Sequence, residues 1–331
     1  MIQRWTMFCV AIVFVAVLIA GCGHTQFKGA LDRGLAPPAV GKSEIPIFDY
    51  DRSPVDISLE FKRETATYRQ YFIKIRKTDL DGLKNKKARA FYFEQKNTTH
   101  KTPGLICLPP TGGPIEIAET FARSYAEQGY NTLAFYRRER FFNAQKDFEY
   151  NSKLVRQSVI DVRRGIDFLT SREPVDSDRI AVMGMSLGGI LGALATAADG
   201  RVKATVMLVS AGDLIEVMRT SHYGRVAKFR DAMMKRYNLR TRQELIDFAE
   251  PRMRKIDPIT YADRIDPARL LMINGYQDNI IKISAARSTW DAFGHPEWRT
   301  LPVGHYSAFA LVPLAKKWTL EHFQRILDPA L

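Results

Sequence analysis

The chain has 331 residues, 46% of them hydrophobic, a length and composition that suit one α/β domain of roughly 200–250 residues carrying an insertion. Its formal charge of +13 comes from 49 Lys and Arg residues scattered among 36 Asp and Glu, with no long basic tract and no recognition motif, so nucleic acid is not an expected partner. Of the three cysteines, Cys107 lies in an apolar strand and Cys9 in the N-terminal apolar segment. If Cys22 is modified, no intrachain disulfide remains, and there is no paired-cysteine or His-Glu-x-x-His metal motif.

Arg4 supplies a positive start, and Met7 to Ala20 forms a nearly unbroken apolar run, too short for a comfortable transmembrane helix and suited to the hydrophobic region of a signal peptide. The run ends in Leu18-Ile19-Ala20-Gly21-Cys22, which resembles the bacterial lipoprotein signal. The resemblance implies removal of residues 1–21 and lipidation of Cys22. With Gly23 next, it also implies a lipid anchor in the outer membrane of the cell envelope, facing the periplasm. Residues 22–53, rich in Gly and Pro and without periodicity, read as a flexible tether, leaving 54–331 as the folded domain.

Within that domain Tyr68, Tyr71, Ile73 and Ile75, and then Ala88 to Phe93, predict two antiparallel leading strands; Leu105 to Leu108 is a third, apolar strand. From there strands and helices alternate. Ile117, Phe121 and Tyr125 recur at helical spacing, and Thr132 to Tyr136 forms a strand. Val155, Val159, Val162 and Ile166 mark a second helix before the strand Ile180 to Met183. Gly188 to Ala198 predicts a buried helix, followed by strands at Val202 to Val209, Leu270 to Ile273 and Trp298 to Val303, with helices near 284–293 and 313–327. This alternation predicts a mostly parallel, doubly wound sheet covered on both faces. Residues 213–264, about fifty where a short crossover would suffice, predict a small helical cap over the carboxyl edge of the sheet; a peripheral decoration is the alternative. Its Met and aromatic residues suit an apolar acyl or aryl group, and its Arg and Lys residues an acidic one.

The chemistry centres on Ile180-Ala181-Val182-Met183-Gly184-Met185-Ser186-Leu187-Gly188-Gly189. A strand turning sharply into a helix holds Ser186 in a strained conformation with its hydroxyl clear of the sheet, and the close passage of strand and helix demands glycine at 184 and 188. Serine needs a base, and the base an orienting acid. Among six histidines, His305 alone directly follows the last strand. Two aspartates follow strands between Ser186 and His305, Asp278 and Asp213; Asp278 is favoured for its Gly-x-x-Asp turn and its distance before His305. The backbone N–H of Leu187 is the first oxyanion donor. The second comes from the loop Leu108-Pro109-Pro110-Thr111-Gly112-Gly113, where the prolines cannot donate and Thr111, or else Gly112, can.

Gly184 to Gly189, Gly275 to Asp278 and Gly304-His305 resemble the α/β-hydrolase superfamily over about residues 60–330. The Gly-Gly ending of the serine turn and Asp257-Pro258-Ile259-Thr260-Tyr261-Ala262 resemble its dienelactone-hydrolase, acetyl-esterase and prolyl-oligopeptidase branch. The resemblance implies the α/β-hydrolase fold with a Ser-His-Asp triad of Ser186, His305 and Asp278. It further implies an acyl-enzyme, no cofactor, no metal, and a small-molecule carboxylic ester as substrate. Pro109-Pro110 departs from the His-Gly common in that loop, and no propeller precedes the core, which disfavours a large oligopeptidase. A catalytically silent envelope binding or scaffold protein and a small peptidase of the prolyl-oligopeptidase type are the alternatives.

Overall fold

The computed structural model describes residues 25–27 and 45–328, apart from 77–78, 85–86, 97 and 113–115. Cys9, Cys22, the apolar run and most of the expected tether lie outside the described residues. Among the described residues no helix is long and apolar enough to cross a membrane.

Continuous apolar runs build the middle of one mixed sheet. Its strands are β1 (Thr25–Phe27), β2 (Ile57–Glu64), β3 (Tyr68–Ile75), β4 (Ala88–Gln95), β5 (Thr102–Leu108), β6 (Asn131–Phe135), β7 (Val175–Met185), β8 (Val202–Leu208), β9 (Leu270–Gly275) and β10 (Glu297–Leu301). Their order is β1-β10-β9-β8-β7-β5-β6-β4-β3-β2. From β10 across to β6 the pairing is parallel; β4, β3, β2 and β1 add antiparallel edges. Strands β5, β6 and β9 are buried along their whole length, as strands covered on both faces must be. The edge strand β2 lies before the first strand expected from sequence, and it leaves Leu59 and Phe61 exposed.

Helices α1 (Glu116–Ala126) and α8 (Val312–Leu327) cover one face, where the 117/121/125 stripe packs inward and Tyr125 meets Phe323 edge-on at 5.7 Å. The long α2 (Phe148–Thr170) and the small-residue α3 (Leu187–Ala198) cover the other, with α7 (Ile283–Ala292) beside them. Asp147 caps α2, its carboxylate accepting the Tyr150 N–H at 2.8 Å. Helix α2 also carries buried charges, each of them paired. Asp161 holds Arg138, Arg164 meets Asp79 at 2.6 Å, and Arg163 faces Asp199 at 3.4 Å.

The same arginines fasten the end of the segment expected to be a tether. Arg163 donates to the Phe48 carbonyl at 2.8 Å, Arg164 to that of Asp51 at 2.9 Å, and the Tyr50 hydroxyl donates to Asp167 at 2.6 Å. Phe48 is fully buried against the domain, so residues 45–51 belong to the folded body. Sparse apolar periodicity hid this, because one aromatic plug held by backbone carbonyls leaves no repeating pattern.

The insertion after β8 is helical: α4 (Leu214–Thr220), α5 (Gly224–Arg236) and α6 (Arg242–Met253), followed by short 3-10 turns to Arg264. It packs on the start of α2, where Phe148 meets Phe229 at 5.3 Å and Phe248 at 6.0 Å. Met218 and Met233 are fully buried in this packing. The methionines thus cement the insertion to the body rather than lining an acyl pocket, which corrects the sequence-based expectation. Cys107 is a buried apolar filler in β5, and burial pushes its thiol pKa well up.

Candidate active site

Strand order reverses at the centre of the sheet, where β5 is flanked by β6 on one side and β7 on the other. Loops leaving the carboxyl ends of the two central strands therefore diverge and open a crevice. Ser186 stands there alone between the last residue of β7 and the first of α3. Its backbone has φ 53° and ψ −118°, the left-handed strain that such a turn imposes on a non-glycine residue. The surroundings hold it there: the Ser186 N–H donates to the Leu208 carbonyl at 2.9 Å, and its carbonyl accepts from the Ser210 hydroxyl at 2.7 Å.

The glycines around it are required by contact. A Cβ on Gly184 would fall 2.0 Å from the Gly188 carbonyl, and one on Gly188 would fall 2.4 Å from the Leu108 carbonyl oxygen. Strand β7, helix α3 and the end of β5 thus meet backbone to backbone.

Asp278 follows β9 in the turn Gly275–Asp278 and is buried. One carboxylate oxygen accepts the N–H groups of Ile280 and Ile281, both at 2.8 Å; the other faces Nδ1 of His305 at 2.7 Å. With the imidazole proton placed on Nδ1, this second oxygen accepts it as the first accepts the two backbone N–H groups, and Nε2 is left as an acceptor. His305 follows β10, and with Ser186 it lines one pocket, completed by Pro110, Thr111, Gly112, Tyr223 and Tyr306.

The competing aspartate is placed elsewhere. Asp213 caps α4, its carboxylate accepting the Glu216 N–H at 3.0 Å and the Ser288 hydroxyl at 2.6 Å. Beside it Asp257 is fully buried and accepts the Leu214 N–H at 2.9 Å; burial, and then the neighbouring Asp213, push its carboxyl pKa well up. The Asp-Pro-Ile-Thr-Tyr-Ala segment is therefore a clasp at the root of the insertion.

Leu187 opens α3 directly after Ser186, so its N–H has no acceptor within the helix. Thr111 is fixed by its own side chain, whose Oγ1 accepts the Phe141 N–H at 2.9 Å. Thr111 and Gly112 both line the pocket, so each stays a candidate for the second donor.

Two family models match parts of the chain, and solved structures share its fold. Residues 88–216 match the dienelactone hydrolase family, and residues 163–324 match the BAAT/acyl-CoA thioester hydrolase C-terminal family. An acetyl xylan esterase from Paenibacillus sp. R4 superposes with a TM-score of 0.65 at 20% identity, covering 83% of this chain and 90% of that one. Acetyl xylan esterase 1 from Thermoanaerobacterium sp. gives 0.64 at 21% identity, covering 84% and 91%. The chain has an α/β-hydrolase-like fold. Uncharacterized protein YcjY of Escherichia coli is 31% identical over 127 residues, 37% of this chain and 41% of that protein. The chain thus spans less than half the length of this curated relative.

The expected helical insertion does reach the pocket, but the residue by which it does so was not legible beforehand. Tyr223, between α4 and α5, reaches the pocket, and its hydroxyl lies 3.0 Å from where a Cβ on Gly112 would be. Burial alone would raise its phenol pKa, but hydrogen bonds with Arg225 and Tyr306 outweigh that and lower it. No spacing rule connects residue 223 to residue 112; only their approach in space does.

Proposed function

We propose that this protein cleaves a carboxylic ester through a Ser186–His305–Asp278 triad. The observation that carries the reading is the 2.7 Å contact between buried Asp278 and Nδ1 of His305, in a pocket that also holds the strained Ser186. His305 Nε2 takes the proton of Ser186 as Oγ attacks the ester carbonyl, and Asp278 stabilises the imidazolium that forms. The N–H of Leu187 and that of Thr111 or Gly112 receive the developing oxyanion, each such donor being worth about 3–4 kcal/mol in comparable sites. Collapse of the tetrahedral species breaks the ester C–O bond, and the imidazolium proton leaves with the alcohol. Water, deprotonated by the same imidazole, then releases the acid from the acyl-enzyme and restores Ser186.

Matches to esterase folds and to two hydrolase families support an ester substrate. The sequence ending at Cys22 supports a lipid anchor that holds the domain at the envelope membrane. The test of the chemistry is covalent labelling. A fluorophosphonate probe should modify Ser186, located by peptide mass spectrometry, and should fail to modify Ser186→Ala. Labelling of both proteins to the same extent, or an adduct on a different residue, would remove the triad assignment.

A further inference from the structure

Next to the nucleophile pocket runs a broad groove between residues 137–146 and the start of α5. Two contacts join the two spaces: Tyr223 lines both, and Arg137 donates to the carbonyl of Pro110, in the oxyanion loop, at 3.3 Å. The groove wall is strongly cationic. Arg137, Arg140, Lys146, Arg225 and Lys228 line it, and burial together with the like charges of Arg140 and Arg225 depresses the Arg137 pKa.

Negative charge to balance this wall is scarce. Glu139 is the one acidic side chain in the described lining, and its oxygens accept the Tyr150 hydroxyl at 2.8 Å and the Lys84 N–H at 3.1 Å. The remaining lining arginine, Arg138, is committed to Asp161. Meanwhile the Nε of Arg225 is buried with no hydrogen-bond partner among the described residues. A buried donor without an acceptor costs stability, about 1–3 kcal/mol and more for a charged group, unless something fills the place. Guanidinium groups gathered at the mouth of a pocket suit a multiply charged oxyanion, which can accept several N–H bonds at once.

We infer that this groove is a subsite for a phosphate group carried by the ester substrate, with Arg140, Arg225 and Lys228 as its ligands. The inference rests on the ester-hydrolase reading and adds the substrate's charge to it. Tyr223 then sits where the reactive carbonyl and the anionic group of one molecule would adjoin.

The test uses the full chain and two acetate esters with similar leaving groups, 4-methoxyphenyl acetate and 4-acetoxyphenyl phosphate, with acetate release as the readout. The wild type should prefer the phosphorylated ester by about tenfold or more in kcat/KM, and rising salt should erode that preference. Arg140→Gln and Arg225→Gln should each reduce the preference about fivefold or more, through KM, whereas Lys317→Gln on α8 should retain it. Arg140 is exposed, so its variant reports on the subsite even if loss of Arg225 disturbs folding. Calorimetric titration of Ser186→Ala with inorganic pyrophosphate separates binding from chemistry. Binding that is lost on adding Arg225→Gln, with neither ester cleaved by the wild type, would keep the subsite and remove the hydrolase reading. Equal cleavage of both esters with no pyrophosphate binding would keep the hydrolase reading and overturn the subsite.

Discussion

Gly275 and Val303 touch through their backbones: a Cβ on Gly275 would fall 2.1 Å from the Val303 carbonyl oxygen, which accepts the Gln277 N–H at 3.1 Å. This contact locks the turn after β9 to the turn after β10, and it is what brings Asp278 to His305. Asp278→Asn keeps the shape of the side chain but can present an amide N–H where the imidazole needs an acceptor, which strands His305 in the wrong tautomer. The expected loss in kcat is at least about a hundredfold, since the comparable change in a serine protease costs about 10⁴. Asp213→Asn, at the cap of α4, should cost little turnover and some stability. Esterase rates and unfolding midpoints on both variants check this; normal turnover in a folded Asp278→Asn would move the acid elsewhere.

Helix α3 approaches β5 so closely that a single methyl group is not tolerated. Gly188→Ala would push its Cβ against the Leu108 carbonyl, backbone against backbone, and should destabilise the protein by on the order of 3 kcal/mol while displacing Ser186. A Cβ on Gly200 meets nothing within 4 Å, so Gly200→Ala should change stability by less than about 0.5 kcal/mol. Denaturant midpoints of the two variants provide the comparison, and equal stability of the pair would refute the packing argument.

His322, on the inner face of α8, ties acid stability to burial. It is 1% exposed, Nε2 faces the Arg269 carbonyl at 3.2 Å, and Nδ1 receives an N–H from Arg325 at 3.0 Å. Burial first, and then the Arg325 charge, lower its pKa to about 3. The unfolded chain binds this proton near pH 6.5 and the folded chain does not. The stabilising contribution is therefore complete above that pH and is lost as pH falls toward 3. By pH 5 the loss is about 2 kcal/mol. Urea midpoints between pH 7 and 5 should fall more steeply in the wild type than in His322→Gln. Parallel slopes would assign the acid sensitivity to other groups.

Membrane attachment is tested at the N-terminus. Cys22→Ser should release the protein from membranes and remove any lipid mass from the mature chain, since each buried CH₂ of an acyl chain contributes about 0.8 kcal/mol of anchoring. Full membrane partitioning of the variant, together with a wild type of unmodified mass, would discard the lipoprotein reading.

Local chemistry is what the sequence by itself determined. Continuous apolar runs marked β5, β8 and β9, the 3.6-residue stripe marked α1 and α2, and the glycines of the Ser186 turn announced a backbone contact before any partner was visible. These signals are local because strand, helix and strained turn are set by neighbours in the chain. The Gly-x-x-Asp turn already favoured Asp278 over Asp213 in the sequence, but its contact with His305, across the Gly275–Val303 approach, is visible only in space. Tertiary structure likewise turned Phe48 from tether into core, tied Tyr50 to Asp167, and moved Met218 and Met233 from an imagined acyl pocket into the seam beneath the insertion. It also brought Tyr223 to Gly112 and Arg225 to Arg137. Such contacts join residues far apart in the chain, and no periodicity encodes them, because which distant side chain fills a given gap depends on how the whole sheet and its covering helices close around it.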